Sequence, residues 1–293
     1  MFKEATEVYS DVAKSGHSYG SMFLVPNSCK PFLKWAGGKS QLIPTLKKFI
    51  PNNFNKYLEP FIGGGALFFQ LNHSQAVISD LNEELIITYK AVRDSVVELI
   101  RELRTYINDE SSFYRIRALN TNELTEIQRA ARIIFLNKTC FNGLYRVNKK
   151  GQFNVPYNKS VGSNFLNEDG LLNCSMSLQG VEVEYCDYKI TLNRFADKND
   201  FVFLDPPYQP VGKYADFKRY TKERFHEKDH EDLFLEFKKL VDRGCHVILT
   251  NSNHPLILDL FKDFQIEIVD TKRLISSDSA TRTGKDIIII GGA

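Results

Sequence analysis

The chain has 293 residues, and 43% of them are hydrophobic. This size and composition predict a full α/β core with a smaller second domain, and the 12% aromatic content argues against an intrinsically disordered chain. No run of roughly 18 or more apolar residues exists, so no transmembrane helix and no membrane partner are expected. The net charge of +2 favours no class of partner by itself.

Cysteine and histidine spacing also restricts the function. The five cysteines are scattered without a CxxC pair, and the six histidines show no HExxH or other ligand spacing. We therefore predict reduced, mostly buried thiols, a cytoplasmic protein and no metal site. Residues 1–30 are interpreted as an N-terminal polar arm, because they mix charges with Ser, Gly and Tyr and lack the apolar segment of a signal peptide.

The first half of the chain predicts the opening of a doubly wound sheet. The expected elements are, in order, a helix at 41–50, a strand at 57–61, a glycine turn at 63–65, a helix at 66–71, a strand at 76–79 and a long helix from 82 to about 107. Asp80 ends the second strand, and Asn82 can cap the helix that follows. This order is typical of a Rossmann-like α/β domain.

The middle of the chain has a different character. The expected elements are helices at 113–119 and 126–137, short strands at 144–147 and 152–155 joined by a hairpin turn at 148–151, and a loop rich in Asn, Ser and Gly at 158–180. Between Ile127 and Asn167 there is no acidic residue. The seven basic residues of that stretch are Arg129, Arg132, Lys138, Arg146, Lys149, Lys150 and Lys159. This charge pattern suits a polyanion, and it suits a solvated basic face equally well.

The α/β pattern then returns. The expected elements are strands at 181–185 and 201–204, a helix at 226–242, a strand at 246–251, a short helix at 255–262 and closing strands at 266–269 and 287–290. We therefore predict that the arm at 1–30 precedes one α/β domain, formed by residues 31–85 and 181–293. A mostly helical insertion at 86–180 divides it.

The glycine turn after the first strand suits a bound ligand. Glycines allow close backbone approach, and the helix that follows directs its N-terminus towards the ligand. The turn fails as a dinucleotide fingerprint because Phe68 replaces the third glycine, and Gly38-Lys39-Ser40 fails as a phosphate loop because Leu33 replaces its first glycine. Asp80 is suitably placed to accept ribose hydroxyls. A purely structural turn remains the alternative.

The tetrapeptide Asp205-Pro206-Pro207-Tyr208 follows an apolar strand, at the position where ligands bind in open α/β sheets. A carboxylate and a backbone carbonyl can accept the two protons of an exocyclic amine and direct its lone pair, and the prolines fix the carbonyl of Pro206. Tyr208 can stack on a base. This chemistry needs positioning and electrostatics, without a covalent intermediate or a metal. An ordinary Pro-Pro turn is the alternative.

Five motifs in the same chain order resemble the Dam-type DNA adenine-N6 methyltransferases. They are LysTrpAlaGlyGlyLys at 34–39, GluProPheIleGlyGlyGly at 59–65, Asp80, the hairpin sequences at 142–148 and 152–156, and AspProProTyr at 205–208. IleSerSer at 275–277 and ThrArg at 281–282 resemble the family's C-terminal loop. The resemblance implies a Rossmann-like methyltransferase sheet, dependent on S-adenosylmethionine (AdoMet), with an inserted, mostly helical DNA-recognition domain carrying a β-hairpin. It also implies methyl transfer to N6 of a flipped adenine in double-stranded DNA.

The resemblance further implies roles for single residues. The residues expected to hold the adenine are Asp205, Pro206 and Tyr208. The residues expected to contact AdoMet are Trp35, Lys39, Phe61, Gly63, Asp80 and Asp205, with Asp187 and Tyr188 near its adenine ring. The residues expected to contact DNA are Lys34, Asn142, Leu144, Arg146, Asn154 and Pro156. Among these, Arg146 would read a guanine, and Leu144 and Pro156 would contact thymine methyl groups.

The sequence specifies the DNA target and the biological setting of the enzyme less closely than the activity. Arg146, Leu144 and Pro156 predict a GATC-like site, although Asn158-Lys159-Ser160 replaces the GlyArgTyr-like stretch of many family members. A restriction–modification system with a cognate endonuclease is expected, while a solitary or phage enzyme remains open. A methyltransferase acting on RNA or a protein amide, and a non-catalytic DNA-binding relative, are the rival functions. Asp205 disfavours protein amides, because glutamine-directed enzymes usually carry Asn there.

Overall fold

The computed structural model of the protein describes residues 29–35, 37–148, 150–210, 225–272 and 283–292. This part of the chain contains a seven-stranded sheet flanked by helices, which confirms the α/β prediction. Residues 1–28 of the predicted arm, Lys149 in the predicted hairpin turn, and the C-terminal motifs at 275–277 and 281–282 lie outside the described residues.

The sheet reverses its winding direction at its centre. Its strands are β1 (Tyr57–Glu59), β2 (Ala76–Asp80), β3 (Glu182–Tyr185), β4 (Phe201–Leu204), β5 (His246–Ser252), β6 (Gln265–Lys272) and β7 (Thr283–Gly291). Their spatial order is β3-β2-β1-β4-β5-β7-β6, and β7 runs antiparallel to both of its neighbours. The chain therefore winds outward to one side from β1 and to the other from β4. Ligands of doubly wound sheets bind at such a switch point, beyond the carboxyl ends of the strands.

Both faces of the central strands are buried. Tyr57, Phe201 and Phe203 point into one hydrophobic cluster, whereas Val202 and Leu204 point into the other. This alternation follows from the two-residue period of a strand, and an apolar run is expected where helices cover both faces. Packing on both faces therefore fixes the positions of the carboxyl ends of β1 and β4.

The helices agree with the predicted pattern in most places. They are α1 (Ile43–Leu46), α2 (Ala66–Leu71), α3 (Glu83–Asp94), α4 (Val96–Arg104), α5 (Glu110–Arg117), α6 (Glu126–Thr139), α7 (Glu168–Leu178), α8 (Tyr188–Phe195), α9 (Glu227–Asp242) and α10 (Pro255–Leu260). The Asn82 side chain accepts a hydrogen bond from the Leu85 N–H at 3.2 Å and caps α3, as predicted. None of the described helices is long and apolar enough to cross a membrane.

Three predictions about helices were wrong. The loop expected at 158–180 contains α7, which Asn167 caps and which buries Leu171 and Leu178, so packing overrides its Gly-, Asn- and Ser-rich composition. The helix expected from 82 to 107 divides at Ser95, whose backbone is not helical. The helix expected at 41–50 is reduced to a 3₁₀ turn at Lys39–Gln41 and the four residues of α1.

The predicted hairpin forms its pairing without regular strands. The segment 140–157, here named the 140–157 arch, is joined by isolated bridges between Val147 and Phe153 and between Cys140 and Tyr157. The Asn154 N–H also donates to the Arg146 carbonyl at 3.0 Å. The two strands expected at 144–147 and 152–155 are therefore replaced by an irregular antiparallel arch.

Candidate active site

The carboxylate of Asp205 lies directly beyond β4, at the switch point of the sheet. Its Oδ2 lies 2.7 Å from Lys39 Nζ, and its Oδ1 accepts a hydrogen bond from Thr250 Oγ1 at 2.7 Å. Burial raises the pKa of Asp205, while the Lys39 ammonium and the Thr250 hydroxyl oppose that rise. The cation and the hydroxyl thus stabilise the ionised form in a site that would otherwise disfavour it.

Lys39 connects the 34–39 loop to the tetrapeptide. It is buried, its Nζ also donates to the Gly37 carbonyl, and this nitrogen lies 4.7 Å from the centroid of the Tyr208 ring. The structure therefore brings Lys39, Asp205 and Tyr208 together, with a cation–π contact between Lys39 and Tyr208.

The end of β5 fixes the backbone that follows the two prolines. The Gln209 N–H donates to Asn251 Oδ1 at 3.1 Å, and Ser252 Oγ donates to the Gln209 carbonyl at 2.6 Å. Sequence reasoning missed Thr250, Asn251 and Ser252 as site residues. The available signal was three polar residues ending an apolar strand beside β4.

The glycine turn is built against Trp35 and Asp80. The Gly63 N–H donates to Asp80 Oδ2 at 3.2 Å, and the Asn82 N–H donates to Asp80 Oδ1 at 2.9 Å. Gly63 has a φ of +46°, and a Cβ atom there would lie 2.9 Å from Trp35 Cδ1. Burial raises the pKa of Asp80 to about 6, although these backbone donors oppose it. Only glycine fits this position.

Side chains suited to a nucleoside follow β1, β2 and β3, at the sheet edge that carries Asp80. Phe61 packs on Tyr188 with ring centroids 5.1 Å apart, and the Tyr188 hydroxyl is buried without a hydrogen-bond partner in the described part of the chain. Leu81 is 50% exposed and follows Asp80 at the end of β2. A carboxylate, two aromatic rings and an unsatisfied hydroxyl fit the ribose and adenine of AdoMet.

The predicted DNA-contacting residues share one side of the 140–157 arch. Its buried side chains include Tyr145, Val147, Phe153, Val155 and Tyr157. The residues between them are more exposed, and those predicted to contact DNA are Leu144, Arg146, Asn154 and Pro156. The structure therefore places these four together. Leu144 also packs partly against the hydrophobic core.

Arg146 is held in a defined orientation. Its Nε donates to Asn154 Oδ1 at 2.8 Å, which leaves guanidinium donors available for a further acceptor. Asn142 is exposed, with a φ of +57°. Next to it, Phe141 is 53% exposed. The sequence analysis did not single out Phe141, whose exposed ring beside the predicted DNA contacts is of the kind that stacks on bases.

The basic stretch contributes less surface charge than its composition indicated. Arg129 Nε donates to Glu84 Oε1 at 2.9 Å. Arg132 is buried and donates to the carbonyls of Ile116 and Arg117 at 3.0 and 2.7 Å. Both arginines have structural partners within the protein. In the described ranges, no group of three or more His, Cys, Asp or Glu side chains is arranged to hold a metal ion.

Comparison with known proteins gives consistent matches. A family model described as D12 class N6 adenine-specific DNA methyltransferase matches residues 35–275. Type II methyltransferase M.MjaIII of Methanocaldococcus jannaschii is 40% identical over 269 residues, covering 84% of this chain and 93% of the relative. Type II methyltransferase M1.LlaDCHI of Lactococcus lactis subsp. cremoris is 38% identical, covering 86% and 92%. The DNA adenine methylase of Escherichia coli strain K12 is 30% identical, covering 89% and 94%.

Proposed function

The chain belongs to the D12 class of N6 adenine-specific DNA methyltransferases, and from this premise we propose that it methylates adenine within a GATC-like site of double-stranded DNA. The observation that carries the site assignment is the contact of Asp205 with both Lys39 and Thr250 at the switch point, beside Tyr208. Asp80 ends β2 and Asp205 follows β4, with only β1 between these strands, so a methyl donor and an acceptor amine can meet at this edge of the sheet.

AdoMet is the methyl donor implied by the family, and when bound it supplies an electrophilic sulfonium methyl group. We assign its ribose to Asp80, its adenine to the neighbourhood of Phe61, Asp187 and Tyr188, and the walls of its site to Trp35 and Gly63. Asp187 is fixed for such a role because its side chain caps α8, accepting the Lys189 N–H at 2.8 Å.

The adenine is held by the tetrapeptide. Asp205 and the Pro206 carbonyl accept hydrogen bonds from the two N6–H groups, which directs the nitrogen lone pair away from the ring plane. A carboxylate has about four lone-pair sites, so Asp205 can accept this bond while it keeps its contacts with Lys39 and Thr250. Its charge then stabilises the positive charge that develops on N6. Tyr208, held under Lys39, supplies a face for stacking.

The 140–157 arch is the proposed DNA-reading element. Arg146 would donate two hydrogen bonds to a guanine, and Leu144 and Pro156 would contact thymine methyl groups. Lys34, Asn142 and Asn154 would make further contacts. This surface belongs to the proposed recognition domain at 86–180, although α3 extends across the boundary at residue 86. The type II relatives support a restriction–modification setting in the cytoplasm, with a partner endonuclease acting on the same site.

The test is methyl transfer from labelled AdoMet into unmethylated plasmid DNA, followed by base-resolved mapping of the modified adenines. We expect N6-methyladenine at one short motif with a GATC core. Modification at another motif would refute the target assignment alone. Labelling of RNA or protein in a mixed competition, with DNA left unmodified, would refute the substrate.

A further inference from the structure

Two segments that are distant in the sequence meet at a close contact. One is Lys34–Trp35, at the start of the loop that carries Lys39. The other is the turn Asn142–Gly143 of the 140–157 arch. Gly143 has a φ of +62°, and a Cβ atom there would lie 2.4 Å from Lys34 Cδ. The segment that carries Trp35, a proposed wall of the AdoMet site, therefore touches the proposed DNA-reading arch with no space between them.

Asn137, near the end of α6, joins these two segments with a single side chain. It is fully buried. Its Oδ1 accepts the Lys34 N–H at 2.8 Å, and its Nδ2 donates to the carbonyls of Lys34 and Gly143 at 2.8 and 3.1 Å. Because a buried carbonyl without a donor is costly, the arrangement of both segments depends on this amide.

Tyr145 forms a second connection in the same place. Its ring stacks on Trp35 with centroids 4.8 Å apart and planes inclined by 19°. Its hydroxyl is hydrogen-bonded to the side chain of Asn82, whose backbone N–H donates to Asp80. The arch thus contacts both the Trp35 wall and the Asp80 turn of the proposed AdoMet site.

We propose that Asn137 is a positioning residue that couples occupancy of the AdoMet site to DNA recognition, by holding Lys34–Trp35 and Asn142–Gly143 in one arrangement. A ligand that orders either segment also orders the other, so the second ligand binds to a site already formed. Coupling of this kind is reciprocal. The inference rests on the proposed assignment of AdoMet and DNA contacts.

The experiment measures the Kd of sinefungin, a non-reactive AdoMet analogue, with and without a saturating short duplex that contains the mapped methylation site. For the unaltered protein we expect the duplex to tighten sinefungin binding on the order of tenfold. In Asn137→Asp, the Lys34 N–H keeps its acceptor while both carbonyls lose their donor. We expect the ratio of the two Kd values to fall below about 2, with sinefungin still bound in the absence of DNA.

Asn108→Asp is the matched control, because its buried Nδ2 also donates to two backbone carbonyls, those of Ser160 and Ser163, at 2.9 Å. It should keep the ratio of the unaltered protein. If Asn137→Asp does not fold, Tyr145→Phe replaces it, and we expect a smaller fall because the ring stack remains. A ratio unchanged in the variant that folds, or a ratio of one in the unaltered protein, would overturn the proposal. A wrong target would already appear as methylation at another motif in the mapping experiment, and a wrong substrate as unmethylated DNA.

Discussion

The carboxyl edge of the sheet and the 140–157 arch are both proposed to hold DNA, yet they are built by different means. Asp205 and Thr250 extend from paired strands, and their contact follows from the register that places Leu204 beside Leu249. The arch has isolated bridges, and its position depends on side chains such as Asn137. The proposed catalytic residues therefore lie on a rigid scaffold, whereas the proposed DNA-reading residues lie on a surface that is fixed by a few polar contacts.

The largest expected effect concerns the carboxyl edge of the sheet. Asp205→Ala removes the acceptor for the N6 protons and the charge near the developing cation, so we expect kcat to fall at least ~10³-fold. AdoMet and DNA binding should remain measurable. Thr250→Val keeps the carboxylate and removes only its hydroxyl donor, and it should cost about tenfold. Single-turnover methylation kinetics measure both. Loss of folding in parallel with activity would make Asp205 a structural residue.

The second effect tests the arch. Arg146→Ala should weaken discrimination at one guanine by about 1–3 kcal/mol, because a bidentate contact is lost there. Competition between the mapped duplex and single-base variants measures this. The exposed Lys150 provides the control: Lys150→Ala should weaken binding equally on all sequences and lower the salt dependence. A uniform loss in Arg146→Ala would reassign that residue to a phosphate contact.

The same contrast explains what the sequence could predict. Asp205-Pro206-Pro207-Tyr208, Asp80 and Gly63 are local motifs that each follow an apolar strand, so their position at the sheet edge was predictable from periodicity and spacing. Thr250 lies 45 residues from Asp205, and pairing it with Asp205 requires the order and register of β4 and β5. Neither is encoded locally.

The arch and its support were harder to predict. Asn137 is 103 residues from Lys34, and an asparagine near the end of an amphipathic helix gives no sign of a buried partner. The strands predicted at 144–147 and 152–155 follow from a correct alternation of buried and exposed side chains, yet only isolated bridges form. Helix α7 was missed because burial of Leu171 and Leu178 against other helices outweighs a weak local propensity.

A third, smaller effect concerns the AdoMet side of the edge. Burial raises the pKa of Asp80 to about 6, and only its ionised form can accept from both ribose hydroxyls. The sinefungin affinity should therefore be full above that pKa and about tenfold weaker at pH 5 than at pH 8. Asp80→Asn should bind more weakly at pH 8 and lose this dependence. An equal pH dependence in that variant would assign the titration to another group.

The last effect is on stability, and it concerns a buried carboxyl group at the carboxyl edge of the sheet. Glu59, at the end of β1, is 3% exposed and accepts a hydrogen bond from the Tyr57 hydroxyl at 2.6 Å. Burial raises its pKa from 4.5 to about 8. Between these two pH values the folded protein holds a proton that the unfolded chain has released. Its stability therefore falls as the pH rises through this range and is constant above it.

Glutamine resembles the protonated acid, so Glu59→Gln should remove the part of that fall that Glu59 contributes while it keeps an acceptor for Tyr57. The pKa difference corresponds to about 3.5 kcal/mol between pH 5 and pH 8, so we expect the Tm of the variant to gain about 6 °C on that of the unaltered protein over this range. Glu168 is the control, because its ion pair with Arg104 lowers its pKa, and a lowered carboxyl pKa affects stability only at more acidic pH. Glu168→Gln should therefore differ from the unaltered protein by a constant amount over this range. The same constant difference for Glu59→Gln would mean that Glu59 is ionised throughout, and that the edge tolerates a second buried charge near Asp205.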